Sequence, residues 1–573
     1  MQEAPAKESP FPLPPYVAFP LAGLGGVIQA LAYPRVGLYP LSFACLAPLL
    51  LAIHGRAGKG SLFYGWIYGL ALGLASFSWL SGVMSGYGGL GPWGGALVLL
   101  LLAAFLGLYQ GLFAWLLAGH DWLQRPFPFL LKAALYWAGL DWLKNWVFTG
   151  FNWTPIAGSL AAAPRLLGVA DLIGTYGLGY LVALSGCALG LAAIMWLRGR
   201  GKKEWLPMVA APLAVVMVLL AYGAPAYMGQ EGRLQEAQAR DFAVLQASVD
   251  QNYKWDSAYR GEILARYGIL ARQASTYDPF LVVWSETAAP FVFGNDPYES
   301  EWVMGLLEDL RIPMLVGLTA VAYDKGLGRS TRNRAWLLYP GRRLGPHYDK
   351  LHLVPFGEYV PFSDTMPFLK APFLQGVLGA AGNFSPGEGI APIAYEGVSM
   401  GIIICFESIF PYLSRLNAEA GADLLVVTTN DAWFGDSFAP DQHFAHSILR
   451  AVETRRPLLR AANNGISGVI LPSGRVLARS SLNEVKAFIY QVPLPRGQKL
   501  TPYVRFGYLL APLFAILTTI AILLKAVPPL GRLARRLAGK GPGAEGPGAP
   551  PGGQGEDDLT QAPKGKRRKG KDG

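Results

Sequence analysis

From Phe11 to Gly223 the chain runs in long apolar stretches separated by short polar breaks. A membrane-crossing helix takes about 20 consecutive apolar residues. The pattern predicts spans near 17–33, 39–54, 61–83, 94–119, 128–148, 168–197 and 206–223, the second of them short. An eighth apolar stretch covers 506–526. Between the seventh and the eighth the period changes. Strand-like runs occupy Phe242–Val249, Phe280–Trp284, Met314–Ala320, Ala335–Tyr339, Ser399–Ile404, Leu424–Thr428, Gly468–Leu471 and Ala487–Val492. Stretches of helical spacing fall among them at Glu262–Ser275, Glu301–Leu310 and His443–Arg455. Strands alternating with helices predict a layered α/β domain.

The chain therefore divides into a membrane part over 1–225, an α/β domain over 226–503, a last span over 504–527 and a tail over 528–573. The first apolar stretch does not read as a cleaved leader, because further spans follow at once. The tail is rich in Gly and Pro and ends in a basic run, so it is predicted to be disordered. Basic residues mark every second loop: Arg56 and Lys59, then Arg125 and Lys132, then Arg198, Arg200, Lys202 and Lys203, then Lys525, Arg532, Arg535 and Arg536. The opposite loops hold only Arg35 and Arg165. Cationic loops stay in the cytoplasm. Both termini are thus expected there, with the α/β domain on the outer side of the cytoplasmic (inner) membrane.

Composition agrees with a lipid-solvated chain. Of 573 residues 52% are hydrophobic and 15% charged, whereas soluble domains carry about 25% charged residues. The net charge of +11 resides in the cytoplasmic loops and the tail, so no nucleic-acid partner is expected. Three cysteines are too few for a disulfide scaffold. The six histidines form no His-x-x-x-His pair and there is no Cys-x-x-Cys, so neither a metal nor another cofactor is expected. Nothing in the pattern calls for an obligate oligomer.

Cys45 and Cys187 lie in apolar segments; Cys405 is the thiol of the polar part. It ends the run Gly401–Cys405, and Glu407 follows two residues later. Glu286 ends a similar run, Leu281–Glu286, and burial there should raise its pKa toward that of a general base. Lys350 lies in a segment dense in aromatics and prolines, with Glu358 close by to hold its ammonium. A base, a cation and a soft nucleophile suit thioester chemistry. The plainer readings are an inert core thiol, a capping glutamate and a solvated lysine.

The segments Trp284-Ser-Glu286, Tyr348-Asp-Lys350 through Glu358-Tyr-Val-Pro361, and Ile404-Cys405-Phe-Glu407 resemble the three motifs of the nitrilase (carbon–nitrogen hydrolase) superfamily. With the flanking spans they resemble, within it, the apolipoprotein N-acyltransferases. Gln246–Trp255, Asn333, Thr429–Asp436, Arg456–Gly465 and Phe148–Trp153 extend the likeness over roughly 15–525. Phe406 departs from it, since many relatives carry Tyr there. The resemblance implies an αββα sandwich, with Glu286 as base, Lys350 as oxyanion stabiliser and Cys405 as nucleophile. It adds Glu358, Glu407, Asn333 and Trp255 as supporting residues. It further implies a phospholipid acyl donor and a diacylglyceryl-cysteine lipoprotein as acceptor. Two apolar loops, Ala289–Asn295 and Val360–Phe384 with Phe362 and Phe368, are expected to face the bilayer. Trp433 and Phe434 are candidate acyl-chain contacts. A tethered amidase that yields its thioester to water is a rival reading. So is a transporter that uses Asp141, Lys144 and Asp171 within its spans.

Overall fold

The computed structural model describes residues 11–120, 122–324, 328–362, 384–495 and 497–527. The expectations for Phe368, for most of the Val360–Phe384 loop and for the basic tail fall outside them. Among the described residues, five helices are long and apolar enough to cross a membrane: Pro15–Ala32, Gly91–Leu117, Ala170–Leu197, Lys202–Gln235 and Gly507–Ala526. The stretch predicted at 61–83 is two helices, Gly58–Ser76 and Trp79–Gly86, bent by 62°. The one predicted at 128–148 is the 18-residue helix Pro126–Leu143. The short stretch at 39–54 differs most. It begins as a 3-10 turn, Tyr39–Phe43, and continues as the seven-residue helix Ala47–Ile53. Pro48 sits at the start of the second piece and lacks the N–H that would bond back to the Ala44 carbonyl and carry one helix through.

Without a hydrophobic drive between helices in lipid, close packing has to come from small residues. Gly69 and Gly107 supply it where Gly58–Ser76 crosses Gly91–Leu117. A Cβ on Gly69 would lie 2.5 Å from the Gly107 Cα.

Among the described residues, the α/β part contains thirteen strands: β1 (Gln238–Gln246), β2 (Leu281–Trp284), β3 (Ala289–Phe293), β4 (Met314–Asp324), β5 (Gly328–Tyr339), β6 (Arg343–Asp349), β7 (Ile393–Tyr395), β8 (Val398–Ile404), β9 (Leu424–Thr429), β10 (Leu458–Ala462), β11 (Gly468–Ile470), β12 (Val476–Arg479) and β13 (Lys486–Leu494). One sheet has the order β13-β1-β2-β4-β5-β6, with β3 paired to β4. The other has the order β12-β11-β10-β9-β8-β7. The central strands β1, β2 and β4, and β8, β9 and β10, run parallel.

Side chains alternate across a strand, so each sheet buries two faces. Phe242, Val244, Leu281 and Val283 meet Met400, Ile402, Leu424 and Val426 between the sheets. Ala243, Leu245, Val282 and Trp284 pack outward under the helices Arg260–Ser275 and Pro297–Leu310. The helices Pro411–Glu419 and Ala439–Thr454 accompany the second sheet.

Each of the eight predicted strands coincides with a strand of the sheets, although Phe242–Val249 runs three residues past the end of β1, and Phe280 and Leu471 lie one residue outside β2 and β11. The expected bilayer loop Ala289–Asn295 does not hold: its first five residues are β3, and Phe291 is buried in the core. Proline is tolerated there because β3 lies off the main path of its sheet.

The membrane helices and this domain meet along Ala439–Thr454, in which every residue but Asp441 is buried. Arg455 Nε donates to Asp171 Oδ2 at 2.9 Å, and Arg455 also donates to the Gly168 carbonyl at 2.9 Å. Thr175 donates from its backbone N and its hydroxyl to Glu453 Oε1, at 2.8 and 2.6 Å. Asp171 is thus a strut between the two parts. Lys144 and Asp141 pair with each other at 2.5 Å.

Removing one partner of a buried pair costs about 3–5 kcal/mol. Asp171→Ala is therefore expected to lower the Tm of the detergent-solubilised full chain, and Arg455→Ala to do the same. An unchanged Tm in both variants would contradict the strut.

Candidate active site

Strand ends place the site. Glu286 lies two residues beyond β2, Lys350 one beyond β6, Cys405 one beyond β8, and Asn430 and Asp431 just beyond β9. These ends converge because the central strands of both sheets are parallel. Cys405 turns the chain from β8 into the 3-10 turn Cys405–Ile409 with φ +52°. A non-glycine residue there is strained, and such strain gathers at functional corners.

Lys350 is buried, and its Nζ donates to Glu286 Oε1 and to Glu358 Oε1, each at 3.0 Å. Asn333 Nδ2 donates to the same two oxygens, at 2.9 and 2.7 Å. The Asn430 backbone N donates to Glu286 Oε2 at 2.9 Å, and the Val354 N to Glu358 Oε2 at 2.8 Å. Both carboxylates are thus fixed at both oxygens. Burial opposes charge on Lys350, but the two carboxylates outweigh it and hold the ammonium above its ordinary value.

The expected rise at Glu286 is reversed. Burial pushes it up, but the Lys350 charge and the hydrogen bonds of Lys350 and Asn333 pull it further down. Cys405 moves the other way. Burial, with the Glu286 charge, pushes its thiol well up against the pull of Lys350. At rest the proton is on sulfur.

Glu407 joins the two motifs. Its Oε1 accepts from the Leu351 N at 2.7 Å, the His352 N at 3.0 Å and the Tyr348 hydroxyl at 2.9 Å. Its Oε2 accepts from the Ile404 N at 2.7 Å. The chain beside Lys350 is thereby tied to the chain beside Cys405. Burial lifts Glu407 to about 7 against these donors.

Several residues that sequence reasoning did not single out also converge. Lys254 is buried, and its Nζ donates to Thr287 Oγ1 at 2.8 Å and to the Glu286 carbonyl at 3.2 Å. Burial lowers it to about 8, against the pull of Glu286 and Cys405. Its signal was its place beside Trp255 in the Gln246–Trp255 segment; Trp255 itself is half-exposed. Asp431 and His443 bring ligand-type atoms within 4.8 Å of the Cys405 sulfur and of each other. This set does not suit a metal. His443 Nδ1 is 2.9 Å from Asp431 Oδ1, and the buried Arg460 guanidinium is already the counter-charge of Asp431 at 3.0 Å.

Aromatic rings line the contact with the membrane part. Phe434 meets Trp79 edge-on at 4.9 Å and Trp153 at 5.6 Å. Trp433 meets Tyr87 at 5.3 Å, and Phe362 meets Phe148 at 6.0 Å. Phe406, beside Cys405, stacks on Phe151 at 6.3 Å. His352 Nε2 lies 2.9 Å from the Thr149 carbonyl. The segment 148–153 therefore touches the flanks of both Lys350 and Cys405.

Two packed sheets that gather an acid, a lysine and a cysteine at their strand ends define a carbon–nitrogen hydrolase domain, and residues 242–501 match the family described as Carbon-nitrogen hydrolase. Residues 25–188 match the Apolipoprotein N-acyltransferase N-terminal domain. A protein of Geobacter metallireducens named apolipoprotein N-acyltransferase is 36% identical over 493 residues, which is 85% of this chain and 91% of that protein. One of Vibrio parahaemolyticus with the same name is 30% identical over 495 residues, 85% and 93% of the two chains. Among solved structures, Nit3 of Saccharomyces cerevisiae, a nitrilase-superfamily member, covers 45% of this chain and 90% of its own, with 18% identity and a TM-score of 0.34. The chain belongs to the apolipoprotein N-acyltransferase family.

Glutamine cannot accept on both sides as Glu407 does, so Glu407→Gln must set an amide N–H against a backbone N–H. Leaving buried donors unmatched costs about 1–3 kcal/mol. The variant is expected to unfold at a lower temperature and to show a more exposed Cys405 thiol by alkylation. Wild-type behaviour in both measurements would remove Glu407 from its joining role.

Proposed function

We propose that the chain transfers the sn-1 acyl group of a phospholipid to the α-amino group of a diacylglyceryl-cysteine lipoprotein, through a thioester on Cys405. The observation that carries this reading is the Lys350 ammonium held 3.0 Å from both Glu286 and Glu358, beside a cysteine on a strained turn, in a chain of this family.

The Cys405 sulfur attacks the ester carbonyl while Glu286 takes the thiol proton. The resting proton belongs to sulfur, so its transfer accompanies formation of the C–S bond. The new oxyanion lies against Lys350 and a backbone N–H; removing one such donor costs about 2.7–4 kcal/mol. Collapse breaks the ester C–O bond. The lysophospholipid leaves with the proton held by Glu286, and the thioester remains. The acceptor amine then attacks the thioester. Glu286 takes a proton from the new ammonium and returns it to sulfur as the C–S bond breaks. The product is an N-acyl amide, formed by ping-pong kinetics. Glu358 and Asn333 keep Lys350 and Glu286 in register, and Glu407 keeps the two motifs together.

The topology belongs to the same reading. In this reading the five long apolar helices and the bent pair, together with Pro126–Leu143 and the interrupted Tyr39–Ile53 segment, make eight crossings, with 226–503 on the outer side, both termini in the cytoplasm and 528–573 as a cytoplasmic tail. A 3-10 turn rises about 2 Å per residue, so the short segment reaches further than its length as an α-helix allows. Both substrates are lipids of the outer leaflet. The aromatic residues Phe362, Trp433 and Phe434 stand where the domain meets the membrane part and contact the acyl chains. The protein works as a monomer without a cofactor.

Cys405→Ala is expected to abolish N-acylation of a diacylated lipopeptide by phosphatidylethanolamine in mixed micelles. Glu286→Gln and Lys350→Ala should each slow it by about 10²-fold or more. Product formed by Cys405→Ala at the wild-type rate would refute the proposal. Free fatty acid released without N-acylated peptide would instead identify a hydrolase.

A further inference from the structure

Cys405 has a strained backbone, and something has to hold it. Its carbonyl oxygen, which can only accept, lies 3.0 Å from His443 Nε2. That contact calls for a hydrogen on Nε2. Ser408 Oγ shares the same nitrogen at 2.8 Å. On the far side of the ring, Nδ1 is 2.9 Å from Asp431 Oδ1 and 2.9 Å from an Arg460 guanidinium nitrogen. Asp431 serves a protonated Nδ1 and Arg460 an unprotonated one. Nε2–H therefore keeps its aim at the Cys405 carbonyl in either state.

Arg460 is itself fixed, by the Ile466 carbonyl at 3.2 Å and Asp431 Oδ2 at 3.0 Å. Thr429 donates to Asp431 Oδ1 at 2.9 Å. Asp431, His443 and Arg460 are all buried, and Trp153 of the membrane part covers the His443 ring at 5.2 Å.

The consequence follows from the peptide plane. In a trans peptide the C=O and the next N–H point in opposite directions. His443 sits on the helix Ala439–Thr454, which packs on the second sheet. Glu286 and Lys350 come from the first sheet, across the layer that contains Cys405. Holding the Cys405 carbonyl toward the helix turns the Phe406 N–H toward the cleft.

We propose that His443, backed by Asp431 and Arg460, is a positioning residue that locks the Cys405–Phe406 peptide, so that the Phe406 N–H is the fixed backbone donor to the oxyanion beside Lys350. This rests on Cys405 being the acyl-carrying nucleophile, so the test reads that separately. Full-length protein in mixed micelles is exposed to phosphatidylethanolamine alone, and acyl-Cys405 formation is timed by mass spectrometry. The same variants are alkylated with iodoacetamide, a reaction of the thiol that makes no oxyanion.

His443→Leu removes the donor and is expected to slow acylation by about 10²-fold. Its phospholipid KM and its alkylation rate should stay near wild type, while its Tm falls because Asp431 and the Cys405 carbonyl lose a buried partner. His443→Gln, whose amide N–H reaches close to the Nε2 position, should restore acylation to within about threefold of wild type, below the scale of a lost donor. Wild-type acylation by His443→Leu overturns the proposal. So does loss of acylation in His443→Gln, or an alkylation rate that falls along with acylation, since either makes His443 a base for the thiol. If the leucine variant does not fold, His443→Asn, too short to reach the carbonyl, replaces it with the same expectations. Wild-type protein that forms no acyl adduct refutes the reading of Cys405 instead.

Discussion

The site depends on one buried ammonium. Lys350 lies between Glu286 and Glu358 with almost no access to water. Taking such charges out of water costs several kcal/mol each, and mutual attraction offsets this only with good geometry and full hydrogen bonding. Both conditions are met, because Asn333 and two backbone N–H groups occupy the remaining carboxylate lone pairs. The arrangement also sets the proton's resting place. A lysine that holds Glu286 low and a pocket that holds Cys405 high keep the thiol neutral at rest. On the proposed function, this leaves the lysine to act when negative charge develops beside it.

The second constraint is the docking of the α/β domain on the membrane helices. A helix on the outer face of a soluble sandwich exposes one side to water. Here Ala439–Thr454 has almost none exposed, and its charged residues are spent on neighbours: Arg450 on Glu453 and Thr175, and the adjoining Arg455 on Asp171. The segment 148–153 uses the same contact to reach the flanks of Lys350 and Cys405. The candidate site is thereby set beside helices long and apolar enough to cross a membrane.

Much of this was legible in the residues. Glu286 and Cys405 each end an apolar run, and those runs are β2 and β8. Lys350, Glu358 and Asn333 sit in segments whose likeness to a family is specific, and they meet at hydrogen-bond distance. What could not be read came from distant parts of the chain. The lowered Glu286 depends on a lysine 64 residues away, whereas burial was the only effect visible locally. Lys254, His443 and Arg460 drew no role of their own, because a single charged or polar residue is usually solvated. β10, which carries Arg460, escaped for that reason, and β3 escaped because its proline reads as a loop. The 62° bend at 76–79 and the broken 39–54 stretch leave hydropathy unchanged, so the span pattern could not show them.

On the proposed function, Cys405 carries a fatty acyl group from one lipid to another. The decisive experiment incubates the full-length protein with phospholipid of defined acyl length and no acceptor, then maps the adduct by peptide mass spectrometry. One acyl chain of that length is expected in thioester linkage at Cys405, discharged as N-acylated product when a diacylated lipopeptide is added. An unmodified Cys405, or an adduct that the lipopeptide does not discharge, would contradict it.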